Sequence, residues 1–141
     1  MGLFRSLTIG LFILAIPIAL ITTNVRFAAS EHRVYDYSIR EYDAASVSGI
    51  PQEELLRANR ELVRYFQAEA PGPLRIEVHD RAGRTVSLFN ARETAHLADV
   101  RDLFQFLFTV QTFLVALTLV LSVVLLSVCS VRVLARALAA A

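Results

Sequence analysis

Glu93, His96 and Asp99, spaced by three, form the most chemically suggestive pattern in the chain. On a helix that spacing keeps all three within about 120° of one side. An imidazole between carboxylates can take a proton from an attacking group and return it to a leaving group, while an acid fixes its tautomer. General acid and base work by His96 is therefore the chemistry these residue types admit. A plainer structural reading ranks ahead of it on spacing alone: Glu93 caps a helix, His96 is an interfacial residue beside an acid, and Asp99 pairs with Arg92 or Arg101. A metal is disfavoured, because Glu-x-x-His is half of a di-iron motif and the other glutamates are missing.

The element that must hold these side chains starts at Asn90. Asn followed three residues later by Glu is a helix-opening signature, in which the cap side chain and the third-residue carboxylate satisfy free backbone donors. The helix is expected to run through ARETAHLADVRDLF into an uncharged run from Leu103 to Val131, long enough to cross a bilayer with tilt. A first apolar run, Leu7 to Val25, covers roughly 28 Å at 1.5 Å per residue. A kink is expected near Ile13 to Pro17. A cleaved signal peptide is the competing reading of this run, but no Ala-x-Ala site closes it and Arg26 sits where small neutral residues belong.

Composition agrees with two spans. The 141 residues are 55% hydrophobic and 19% charged, with mean hydropathy +0.52, too apolar for an ordinary soluble domain. The 14 basic residues are all arginine and face 13 acids, a net charge of +1 that offers no polycationic surface to a nucleic acid. One cysteine, Cys129, and three histidines exclude an internal disulfide and a Cys/His zinc set. Glycine-rich dinucleotide and phosphate loops and the Gly-x-Ser-x-Gly elbow are absent from the sequence, and no cofactor is expected. Every acid lies between Glu31 and Asp102, whereas Arg5, Arg132 and Arg136 flank the spans. The positive-inside rule then predicts a cytoplasmic 1–6, a first span 7–25, an extracytoplasmic 26–102, a second span 103–131 and a cytoplasmic tail 132–141.

Within 26–102 a small α+β domain is expected. Val34 to Tyr42, with Tyr35, Tyr37 and Tyr42, alternates in part and reads as a strand. Asp43 to Ile50 reads as turns. A helix is expected from Pro51 to about Glu69, with Leu55, Leu56, Leu62, Val63 and Phe66 on its apolar side. Pro71-Gly-Pro73 ends it, and Leu74 to Val78 and Arg84 to Phe89 read as a hairpin around His79 to Gly83. His79 is expected to be solvated, and His32 lies just past the first span. Asp102, Gln105, Thr109 and Thr112 form a polar stripe suited to partner helices, a second copy or a wet cavity.

The run FNARETAHLADVR, residues 89–101, together with EELLRANRELVRY, residues 53–65, and the intervening two-strand segment, resembles an uncharacterised bacterial integral membrane family. That family includes the lipoprotein intramolecular transacylase, Lit. The most specific part is His96-Leu-x-Asp99-Val-Arg101, which is similar to the family's His-hydrophobic-x-Asp/Glu-Val-Lys signature. The similarity covers nearly the whole chain and corresponds to the N-terminal half of a four-span layout whose second outer loop brings another functional histidine. The resemblance implies acyl transfer on the outer leaflet, from the glyceryl ester of a lipidated cysteine to that cysteine's own amine, with His96 in the place of the catalytic histidine. A lipoprotein or membrane lipid would be the partner. The alternative expectation is a non-enzymatic two-span module, a sensor, scaffold or subunit of a larger membrane complex.

Overall fold

The structure is a computed structural model that describes residues 2–68, 72–128 and 136–140. Expectations that fall on Glu69, Pro71, Cys129, Val131 and Arg132 lie outside these residues. The order of elements is α1 (Gly2–Ser30), α2 (His32–Glu41), α3 (Ala44–Ser48), α4 (Gln52–Phe66), β1 (Glu77–His79), β2 (Thr85–Ser87) and α5 (Ala91–Val128). The fold is thus mostly helical with one small antiparallel sheet. The chain divides into two compact units, Met1–Val25 with Leu107–Ala141, and Arg26–Phe106.

The first unit holds the apolar runs of α1 and α5, and both helices are long and apolar enough to cross a membrane. Only 6% of the most apolar stretch of α5 is buried, and its outward leucines, valines and phenylalanines form an apolar surface of the kind that suits lipid. Phe12, Leu121, Leu125 and Ala137 form the small buried cluster of this unit. Thr23 Oγ1 accepts a 3.3 Å hydrogen bond from the Gln111 amide, a polar link between two otherwise apolar helices. The helix α1 is continuous through Pro17.

The second unit is built around Ile50, Leu55, Ala58, Tyr65, Phe66, Leu74, Ile76 and Val78. The amphipathic α4 supplies half of this core. Glu53 and Glu54 in its first turn and Arg64 in its last suit the helix dipole. Antiparallel β1 and β2 pair Glu77 with Ser87, Val78 with Val86 and His79 with Thr85. Val78 points inward, fully buried, while Glu77 and His79 point out, as the two-residue period of a strand requires. In the turn Asp80 Oδ1 accepts from the Ala82 and Arg84 amides at 2.9 Å, and Gly83 takes φ 77°, a left-handed conformation that glycine adopts without strain.

One expectation is corrected here. Val34 to Tyr42 is not a strand: Val34 to Glu41 lies in α2 and Tyr42 ends it, the helix being opened by Glu31, whose carboxylate accepts from the Arg33 amide at 3.2 Å. Tyr35 and Ile39, four residues apart, pack together on the core, so a helical stripe decides the conformation over the strand propensity of the aromatics. The expected turns of Asp43 to Ile50 contain the short α3, ended by Gly49 at φ 72°. Both strands are shorter than the expected segments.

Candidate active site

Asn90 and Glu93 form a reciprocal cap. The Asn90 side-chain oxygen accepts from the Glu93 amide at 3.0 Å, and Glu93 Oε2 accepts from the Asn90 amide at 2.8 Å. Two backbone donors that have no helical partner are thereby satisfied, which is why α5 starts here. Leu97, Val100 and Phe104 then turn to the core of the second unit, Phe104 meeting Phe66 edge to face at 5.2 Å between centroids. His96 and Asp99 are left exposed. Among the described residues neither side chain has a hydrogen-bond or ion-pair partner. Glu93, His96 and Asp99 therefore share a helix without bonding to one another: the first is engaged in the cap, the other two are open to whatever approaches. Arg101 lies over the Tyr65 ring, 4.6 Å from its centroid.

A second imidazole and acid pair, which sequence reasoning passed over, joins α4 to the hairpin. Glu54 Oε2 accepts from the His79 amide at 2.9 Å and lies 3.4 Å from His79 Nδ1. Arg57 donates to Glu54 at 2.9 Å, to Glu61 at 2.6 Å and to the Glu77 carbonyl at 2.6 Å. The Arg57 guanidinium, helped by the His79 amide, holds the Glu54 carboxyl down at about 2, and Glu54 in turn raises Arg57. Glu54, Arg57 and Glu61 at helical spacing were visible in the sequence. Their link to His79 was not, because it depends on how the hairpin docks. Nearby, hydrogen bonding by the Arg84 amide and guanidinium keeps Asp80 below the usual carboxylate range.

His96 is thus an exposed imidazole on a helix that continues into an apolar run, and comparison with known proteins gives the chain a family. The family model for lipoprotein intramolecular transacylase Lit matches residues 10–139. The chain belongs to the Lit family. No curated protein and no solved structure matches it.

For this Lit-family chain the remaining expected site features distribute as follows. Gln105, from the polar stripe, donates to the Phe66 carbonyl at 2.6 Å and closes the end of α4; Thr112 bonds back to the Phe108 carbonyl. The stripe thus has partners inside the chain. Tyr35 is half-buried, its hydroxyl donating to the Ala29 carbonyl at 3.3 Å, and burial raises its pKa; Tyr37 and Tyr42 are exposed. His32 Nδ1 lies 3.4 Å from Glu31. Among the described residues no three His, Cys, Asp or Glu side chains come together as metal ligands would.

Proposed function

We propose that the chain is a membrane acyltransferase of the outer leaflet, moving an acyl chain from a glyceryl ester to an amine of a lipoprotein, with His96 as general base and acid. The match to the Lit family over residues 10–139 carries this reading. His96 supports it as an exposed imidazole with no internal partner, on the helix whose next turns are apolar enough to enter a bilayer.

In this scheme the ring nitrogen of His96 takes a proton from the attacking amine as the new C–N bond forms at the ester carbonyl. The same nitrogen returns it to the glyceryl oxygen as the C–O bond breaks, so the amide and a free hydroxyl result and no group remains on the protein. Asp99 is one turn away and stabilises the imidazolium; Glu93 contributes by fixing the start of the helix and the charge around it. No serine or cysteine nucleophile is needed. Both reacting groups belong to one lipidated cysteine, so the protein's task is orientation at the interface.

The topology that goes with this function places both termini in the cytoplasm and 26–102 outside a cell membrane, since the acids lie between Glu31 and Asp102 while Arg5 and Arg136 lie beyond the apolar runs. The test is mass spectrometry of lipoprotein amino-terminal peptides from cells with and without the gene. The expected result is a shift of one acyl chain from glycerol to the α-amine that His96→Ala abolishes at equal protein level. Identical acylation in both cells would refute the assignment.

A further inference from the structure

Among the described residues of the second unit, three grooves differ in charge. The groove of about 540 Å³ between α4 and the hairpin is lined by Glu54, Glu61 and Glu77 as well as Arg57, Arg75 and His79, so its carboxylates outnumber its guanidinium groups. A second, beside Pro73 and Leu74, mixes Glu61 with Arg64 and Arg75. The third, about 250 Å³, is lined by Ser30, His32, Arg60, Val63, Arg64 and Gln67, and none of these carries a carboxylate.

The guanidinium groups of Arg60 and Arg64, one turn apart on α4, are exposed, and among the described residues neither has a hydrogen-bond or ion-pair partner. This is not for want of an acid in the sequence. Glu61 stands three residues before Arg64, within helical reach, but its carboxylate is held by Arg57 at 2.6 Å. Glu31 is occupied in the cap of α2 and beside His32, and Asp36 accepts from Asn59 at 3.3 Å. The Gln67 side-chain amide donates to the Ser30 carbonyl at 3.4 Å and fastens the end of α4 to the end of α1 at this notch. Two exposed guanidinium groups one turn apart, without a partner among the described residues, can together hold the oxygens of a phosphate.

The source of that phosphate follows from the chain itself. Ser30 follows the end of the first apolar run at Val25 by only five residues, so the chain itself tethers the notch within reach of lipid headgroups. We propose that Arg60 and Arg64, with His32 at the rim, bind the headgroup phosphate of an anionic phospholipid beside the protein. The site is separate from His96 and requires no acyl transfer. It gives the second unit a lipid contact of its own.

The experiment uses the full chain purified in detergent, mixed with micelles of phosphatidylcholine doped with phosphatidylglycerol, and native mass spectrometry to count retained lipid. The wild type is expected to retain phosphatidylglycerol over phosphatidylcholine, and Arg60→Gln and Arg64→Gln each to lower that retention about fivefold. The pair Arg40→Gln with Arg81→Gln removes the same charge as the double notch variant from exposed positions elsewhere and is expected to leave retention unchanged. Equal retention by wild type and notch variants, or an equal fall in the control pair, would overturn the proposal. A parallel arm with millimolar inorganic phosphate separates the sources: binding of the free ion that depends on Arg60 and Arg64, with no preferential retention of phosphatidylglycerol, overturns the lipid assignment.

Discussion

His79 and His96 both sit among carboxylates in the second unit, yet their polar surroundings are opposite. Around His79, Glu54 is bound by the His79 amide and by Arg57, which also clamps Glu61 and the Glu77 carbonyl. Around His96, Glu93 is absorbed by the helix cap while the imidazole and Asp99 have no partner among the described residues. The same residue types thus build a brace in one place and leave an exposed imidazole and carboxylate without partners among the described residues in the other. Residue type and spacing do not separate the two cases; the fate of each polar atom does.

Exchanging the histidines is the sharpest way to break this comparison. His96→Ala is expected to lower acyl transfer by about 10²- to 10⁴-fold, the usual contribution of a general acid and base. His79→Ala should leave it within about twofold, as for a surface change away from the reacting atoms. Both are read by mass spectrometry of lipoprotein peptides, and equal losses would erase the distinction. Next in size, Ile76→Ala in the core beneath the brace, where Ile76 is only 2% exposed, should cost about 2–5 kcal/mol in thermal melts followed by circular dichroism in detergent. Asn90→Ala, which removes one half of the reciprocal cap, should cost about 1 kcal/mol in the same melts.

The smallest effect is a pH dependence. Glu54 titrates at about 2 instead of the ordinary 4.5, so the fold favours its ionised form. Its stabilisation is complete above 4.5 and is lost as pH falls toward 2. Because the pair is on the surface and screened, the shift in melting temperature is expected to be slight. Glu54→Gln should flatten the slope in that window.

The parts of the molecule legible in the sequence are those with local causes. Asn90 and Glu93 announced the start of α5, the Leu74 to Phe89 segment its hairpin, and Gln52 to Phe66 its apolar side. Illegible were the features that tertiary contact decides. Helical α2 depends on Tyr35 and Ile39 meeting the core, and the Glu54 and His79 brace joins residues 25 apart. The open state of His96 was illegible for the same reason, since a list of neighbours does not tell which acids are already bound.

Gln105 carries a consequence for biosynthesis. The Phe66 carbonyl at the end of α4 is satisfied by a side chain that lies 39 residues later, near the start of the second apolar run. While the nascent chain is still shorter than this, the Phe66 carbonyl has only water to bond and the Phe66 ring cannot meet Phe104. The packing around Phe66 can therefore close only once synthesis has passed Gln105, the point at which the second apolar run begins to emerge.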